Sequence, residues 1–265
     1  MRSTLRGLAW GMALLLAQVS VLTAAATAAA AELTADEILD RIEGTAFVGS
    51  GSATVELVTV NARGQERSNR LAFYRKETPY GANQLLEYLS PADVAGTKFL
   101  TTDDESGETL MWLYLPALGR ERRISGSATQ DNFMGTDFTF EEIGSIGTFT
   151  KEYDAERLPD ERYQEWDTYV LRLVPHGSDS KYSAVKMWVW KEHFVPVRIE
   201  FYNRQGGLEK VLVNEDVRPN ARGQWQPHVI TMRSESSGSR TIIRVLETSE
   251  DPVPDEYFTL RYLRR

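Results

Sequence analysis

The stretch Glu108 to Glu142, ETLMWLYLPALGRERRISGSATQDNFMGTDFTFEE, restricts the possible folds of this chain more than any other segment. Side chains on a strand alternate between its two faces, so Leu110, Trp112 and Tyr114 project to one side and Met111, Leu113 and Leu115 to the other. Neither side is suited to water. Such a strand lies inside its sheet, with one face on the core and the other under a helix, a second sheet or a bound apolar ligand. Simple burial is the plainer of these readings. The strand then runs into an aromatic segment carrying Phe133, Met134, Phe138 and Phe140 and broken by Gly126 and Gly135.

The N-terminus sets the context. Arg2 and Arg6 precede the apolar run LAWGMALLLAQVSVL and an alanine-rich tail that reaches Ala31 and offers several small-residue cleavage sites. This pattern predicts a secretory signal peptide over residues 1–31 and a mature domain over 32–265 that works in the periplasm. An uncleaved membrane anchor is the competing reading, because the apolar run is nearly long enough to span a bilayer. The chain has no cysteine, so it carries neither a disulfide nor an N-terminal lipid anchor and must be stabilised by its core. Removing the first 31 residues leaves 234 and takes the formal charge from -8 to -10. That acidity argues against nucleic acid or an anionic membrane surface as the main partner.

The mature chain begins LTADEILDRIEGT, where Thr34 and Glu37 have capping-box spacing and Ile38, Leu39 and Ile42 form a helical apolar stripe. From Phe47 the hydrophobic period changes to about two. Strands are predicted near 46–60, 67–77, 83–90, 97–103, 108–115, 148–156, 166–174, 183–191, 195–203, 207–217, 225–235 and 239–248, with turns at Asn61–Gly64 and Asp103–Gly107. Many consecutive antiparallel strands with few helices mean a curved sheet or partial barrel, mainly β in class.

Reaction chemistry is not visible. His176, His193 and His228 are far apart and each lies beside a turn or a proline, so metal-ligand spacing is not met and surface positions are expected. No nucleophile elbow, Walker loop or dinucleotide fingerprint occurs, and GSGS at 49–52 lacks the rest of any phosphate-binding pattern. The acidic pairs Asp103-Asp104 and Glu141-Glu142 are better explained as a solvated turn and a helix start than as an acid and base. The chain is therefore expected not to be an enzyme and to need neither cofactor nor metal.

Four segments in order carry a resemblance: LLEYLSPADVAGTKFL at 85–100, MWLYLPALGRERRIS at 111–125, NFMGTDFTFEEI at 132–143, and the hairpin VWKEHFVPVRIEFYNRQGGLEKVLV followed by Trp225-Gln226-Pro227. Over nearly all of the mature chain the sequence resembles the outer-membrane lipoprotein-sorting proteins, a LolA-like family of periplasmic lipoprotein carriers. The resemblance implies an unclosed antiparallel β-barrel of about ten or eleven strands, with a few helices covering its concave face. Acyl chains would lie between sheet and helices. Alternation along the strands then nominates Phe73, Leu86, Tyr88, Phe99, Leu110, Trp112, Tyr114, Trp188 and Trp190 as the groove, and a one-residue slip in any strand would turn its choices outward. Phe133, Met134, Gly135, Phe138 and Phe140 would form a lid, hinged by Gly126 and Gly135; the alternative is a fixed plug that completes the core.

Arg70, Arg120 and Arg122 are candidate polar contacts to a lipid phosphate, to a lipoprotein's first residues or to lid carbonyls, against the plainer reading of exposed arginines paired with nearby carboxylates. Each acyl CH2 taken from water is worth about 0.8 kcal/mol, so a sixteen-carbon chain brings roughly 12 kcal/mol and cannot cross an aqueous space unaided. The carrier implied by the resemblance shelters an acylated lipoprotein or lipid on its way toward an outer-membrane acceptor. Because the sequence holds no nucleotide site, an inner-membrane transporter of RND or MMPL type, or else of ABC type, is the expected loader. The alternatives are a periplasmic lipoprotein or lipid sensor acting through a regulatory partner, or a structural envelope subunit. The sensor reading is weakened by the chain's ending soon after PDEYFTLRYLRR, where such sensors carry a further domain.

Overall fold

The first helix forms where its cap dictates. In the computed structural model, which describes residues 32–43, 50–144, 153–176, 180–220 and 223–265, the backbone N–H of Thr34 donates to Glu37 Oε2 at 2.8 Å. The N–H of Glu37 donates to Thr34 Oγ1 at 3.2 Å, which completes the capping box and starts α1 (Ala35–Glu43). Ile38, Leu39 and Ile42 are buried. Residues 1–31, where the signal peptide is expected, lie outside the described residues.

Six strands follow: β1 (Gly51–Val60), β2 (Glu66–Thr78), β3 (Gly81–Ser90), β4 (Lys98–Asp103), β5 (Thr109–Leu115) and β6 (Arg120–Ile124). A segment of short 3-10 turns leads to α2 (Phe140–Gly144). Seven more strands complete the sheet: β7 (Tyr153–Tyr163), β8 (Trp166–Pro175), β9 (Tyr182–Trp190), β10 (Val195–Asn203), β11 (Leu208–Pro219), β12 (Trp225–Ser234) and β13 (Arg240–Ser249). The short α3 (Leu260–Leu263) lies near the C-terminus.

All thirteen strands belong to one antiparallel sheet, in the order β6-β5-β4-β3-β2-β1-β13-β12-β11-β10-β9-β8-β7, and it does not close into a barrel. The expected architecture is therefore present, with thirteen strands in place of ten or eleven. One of the added strands, β6, reads Arg-Glu-Arg-Arg-Ile and gives no apolar alternation. The opposite edge, β7, is similarly polar, holds Pro159 and carries a register shift between Leu158 and Glu161. Charge, proline and bulges are the features that keep an open sheet edge from pairing with another chain.

One apolar cluster fills the inner face. It joins Leu71, Phe73, Leu86, Phe99 and Leu113 from the first half of the sheet to Leu173, Met187, Phe201 and Met232 from the second, with α1 and α2 packed among them. Twelve strand spacings of ~4.8 Å would make a flat sheet roughly 58 Å wide, so a single cluster spanning both halves requires the sheet to curl.

The outer face has its own cover. Val253, Phe258 and Leu263 bury themselves on Leu85 and Leu100, and Tyr74, Trp112, Tyr114, Tyr257 and Tyr262 pack around them. Lys98, nearly fully buried, donates from Nζ to the Tyr262 carbonyl at 3.3 Å. Arg264 clamps Glu121 of β6 and holds its carboxyl down to about 2. Further along the same face, Val170, Trp188 and Val197 form a third cluster with Tyr163, Trp166 and Trp190.

The C-terminal segment is thus a strap on the back of the sheet, and its removal is expected to cost stability without changing the inner face. Phe258→Ala should destabilise the fold by about 3 kcal/mol, read as a lower urea midpoint. An unchanged midpoint would show that the strap contributes nothing.

Candidate functional site

The segment between β6 and α2 lies on the inner face because its apolar residues have nowhere else to go. The N–H of Phe133 donates to the Phe138 carbonyl at 2.7 Å, and the N–H of Thr136 donates to the Phe133 carbonyl at 2.8 Å, folding 133–138 into a tight loop. Two consecutive left-handed residues, Met134 (φ 45°) and Gly135 (φ 77°), turn its tip. The N–H of Phe140 donates to the Asp131 carbonyl at 3.1 Å and closes the neck.

The loop delivers three aromatic rings to the sheet. Phe133, 1% exposed, sits 5.3 Å from the Phe99 ring, 5.4 Å from Phe140 and 6.3 Å from Tyr88, with Phe99 and Phe140 5.5 Å apart. Offset and edge-on aromatic pairs of this kind add to the burial of the rings themselves. Burial pushes the Tyr88 phenol well above its usual range. Phe138 and Ile143 are also buried in the cluster, and Met134 packs against it half-buried.

Polar groups pin the same segment at three points. Asp137, 6% exposed, accepts hydrogen bonds from the hydroxyls of Thr241 (2.7 Å) and Ser239, while its own N–H donates to Thr241 Oγ1 at 2.8 Å. Gln84 Nε2 donates to the Gly144 carbonyl at 3.0 Å. A Cβ on Gly144 would come within 2.8 Å of the Met111 methyl, so the end of α2 packs directly on β5 and a larger residue would push that flexible side chain aside.

The third point is charged. Lys210 Nζ pairs with Glu142 at 3.2 Å, both side chains being largely buried, and the Tyr182 hydroxyl donates to the same carboxylate. Glu142 is itself tied to the loop by a second capping box: Thr139 N–H donates to Glu142 Oε2 at 2.7 Å and Glu142 N–H to Thr139 Oγ1 at 3.1 Å. Burial, and then the Glu142 charge, push the Tyr182 phenol far up. A pocket of about 230 Å³ opens at the loop's tip, between Gly135 and Asp137 on one side and Thr59 and Arg67 of the β1–β2 hairpin on the other. That is below the roughly 300–1,000 Å³ of ordinary small-molecule sites.

The residues nominated from sequence divide between the two faces. Phe73, Leu86, Tyr88 and Phe99 come together on the inner face with Phe133, Phe138 and Phe140. Leu110, Trp112 and Tyr114 do not: register pairs Phe99 with Leu113 and Thr101 with Met111, so Met111 and Leu113 face inward and the larger residues lie on the back of the sheet, Trp112 and Tyr114 around the strap. Trp188 and Trp190 are outside for the same reason, since Met187 and Val189 take the inner positions. Both strands are apolar on both faces, so alternation alone does not say which set of side chains faces inward.

Arg70 is exposed and pairs across the sheet with Glu56, away from the groove. Arg120 and Arg122 do share the inner face, opposite Leu115 and Leu113, but are exposed at the sheet edge. Sequence reading missed Lys210, Tyr182, Asp137 and Thr241; an isolated lysine in LEKVLV that alternates in phase with apolar residues was the signal available. His193 is half-buried, stacked on Trp225 at 4.6 Å, where a surface position was expected. Among the described residues no group of three or more His, Asp or Glu is placed to hold a metal ion, and no helix is long and apolar enough to cross a membrane.

A family model described as "Uncharacterized protein" matches residues 81–265. A domain from Vibrio parahaemolyticus assigned to the outer membrane lipoprotein-sorting proteins superposes with a TM-score of 0.81 at 28% identity, covering 87% of this chain and 98% of its own. The chain belongs to the family of that model, and its structural neighbours are outer-membrane lipoprotein-sorting and LolA-like proteins. A DUF1329 family protein from Desulfovibrio piger matches at 26% identity and TM-score 0.80, covering 86% of this chain and 97% of its own. A LolA superfamily protein from Nitrosomonas europaea shares the fold at TM-score 0.71 and 24% identity, covering 87% and 100%. No curated protein matches the chain.

Within this family member the loop's polar anchors are testable directly. Asp137→Ala removes a buried acceptor of two hydroxyl hydrogen bonds and should cost about 2 kcal/mol. It should also raise hydrogen exchange and proteolytic cutting within 126–144 while β1–β5 stay protected. Uniform loss of protection across the sheet would show that the loop is not a separable unit.

Proposed function

We propose that this protein is a periplasmic carrier whose inner face, occupied here by its own loop, takes the acyl chains of a lipoprotein or lipid when that loop swings away. The observation that carries this reading is the nature of the filling. One connection supplies Phe133, Phe138, Phe140 and Ile143 to the apolar cluster, and it is held by a few side-chain hydrogen bonds and one ion pair. Lifting it would uncover Phe73, Leu86, Tyr88, Phe99, Met111 and Leu113 as a continuous apolar concavity.

The physics of a shuttle asks for this arrangement. An empty open groove would present a large apolar patch and invite aggregation, whereas a groove filled by immovable residues would accept nothing. A loop that substitutes for the cargo keeps the empty carrier soluble and lowers the net gain on loading, so that cargo is also released. Structural likeness to the lipoprotein-sorting proteins supports the same role, and the signal-peptide pattern in residues 1–31 supports a periplasmic location. Since the chain carries no nucleotide-binding motif, an inner-membrane transporter, of RND or MMPL type before ABC type, would supply the work of loading, with delivery toward the outer membrane. No step of this requires catalysis.

The loop as competitor gives a test that separates a carrier from a fixed plug. Phe138→Ala weakens the closed form by about 3 kcal/mol, so affinity for a fluorescent acyl probe should rise by as much as a hundredfold. Wild-type protein purified without detergent should release acyl species into organic extracts in stoichiometric amount, seen by mass spectrometry. Loss of stability in the variant with no gain in probe binding would mean that the loop is a permanent part of the core.

A further inference from the structure

Resting on the carrier reading, the ion pair beneath α2 narrows the cargo. Lys210 is 3% exposed and lies on the inner face, paired across the sheet with Phe201 on one side and Ser234 on the other. Its ammonium is 6.0 Å from the centre of the Tyr182 ring, which in turn sits 5.1 Å from Phe201. Among the described residues the carboxylate paired with it is Glu142, which also receives the Tyr182 hydroxyl. Burial, and then the Lys210 charge, lower the pKa of the nearby Lys181 ammonium, with Glu142 and Glu209 acting in the opposite direction.

Glu142 belongs to the loop, bound to it by the Thr139 capping box and flanked by the buried Phe140 and Ile143. Lys210 and Tyr182 belong to the sheet. When the loop leaves, the carboxylate leaves with it and the cation stays behind in an apolar groove. A hydrocarbon chain alone would cover Lys210 without a counter-charge, and a buried, unpaired ammonium is strongly disfavoured. We infer that Glu142 occupies the place of the cargo's own anionic group, and that the preferred cargo is an acyl lipid whose head carries an oxyanion, phosphate or carboxylate, that replaces Glu142 on Lys210 and Tyr182. The charge-assisted hydrogen bonds made by Glu142 are of the kind that a headgroup oxyanion accepts from the same two donors.

The experiment compares two lipids with identical chains, dioleoyl phosphatidic acid and dioleoylglycerol, as competitors of a bound fluorescent acyl probe on the purified protein. Wild type should favour the phosphatidic acid by at least tenfold. Lys210→Met should lose that preference, while its affinity for dioleoylglycerol should not fall. The charge-neutral double variant Lys210→Met with Glu142→Gln should behave in the same way, which guards against a fold defect from a stranded carboxylate. Glu142→Gln alone, with the internal competitor gone, should widen the preference for phosphatidic acid. Inorganic phosphate at equal concentration should displace no probe; displacement by it would make this a free-phosphate site and overturn the inference. Equal binding of the two lipids by wild type would overturn the inference and leave the carrier standing, whereas binding of neither would remove both.

Discussion

The position of the loop follows from where the chain has to travel. β1 is central, paired to β2 on one side and β13 on the other, and the first six strands run outward from it to one edge of the sheet. The next strand, β7, is the other edge, twelve places away, and the remaining strands run back to meet β1. The connection between β6 and β7 must therefore bridge the full width of the sheet. With thirteen strands curled around one apolar cluster, the inner face is the short route, and a segment that takes it must be apolar where it touches. Phe133, Phe138, Phe140 and Ile143 meet that requirement, and the polar groups between them find partners on the sheet. The groove and its stopper are thus consequences of a single topological choice.

The back of the sheet carries an apolar cover of its own. Strands apolar on both faces need cover on both, and here the covers are of different kinds. The C-terminal strap joins Phe258 and Leu263 to Leu85 and Leu100, and the aromatic cluster around Trp188 packs the outer face of β8 to β10. These contacts of large side chains add to the larger inner-face cluster in a fold without disulfides.

Much of this was legible in the residues, and the limits have physical causes. The capping box at Thr34, the turn at Asn61–Gly64 and the alternation of Val195 to Phe201 each specify local geometry, and each is present. The aromatic loop was visible because glycine and phenylalanine seldom mix so densely without a reason. What failed was facing. Alternation nominated Trp112 and Trp188, but Met111 and Met187 hold the inner positions, and only pairing with neighbouring strands, such as Leu113 with Phe99, decides it. The edge strand β6 gave no apolar alternation, because its arginines serve to end the sheet, and could be read only as an exposed strand carrying Arg120 and Arg122 on one face. Lys210 and Glu142 are 68 residues apart, and no local pattern joins two charges that meet only after the sheet has curled.

The sheet's failure to close has a mechanical meaning of its own. In a sealed barrel, strand number and stagger together set the bore, and a wider guest would require hydrogen bonds to break. Here β6 and β7 are joined by covalent chain and not by a ladder of hydrogen bonds, so the gap between them can widen or narrow by small changes of twist shared among twelve strand pairs. A carrier of this kind would accommodate guests of different girth without giving up a single backbone hydrogen bond.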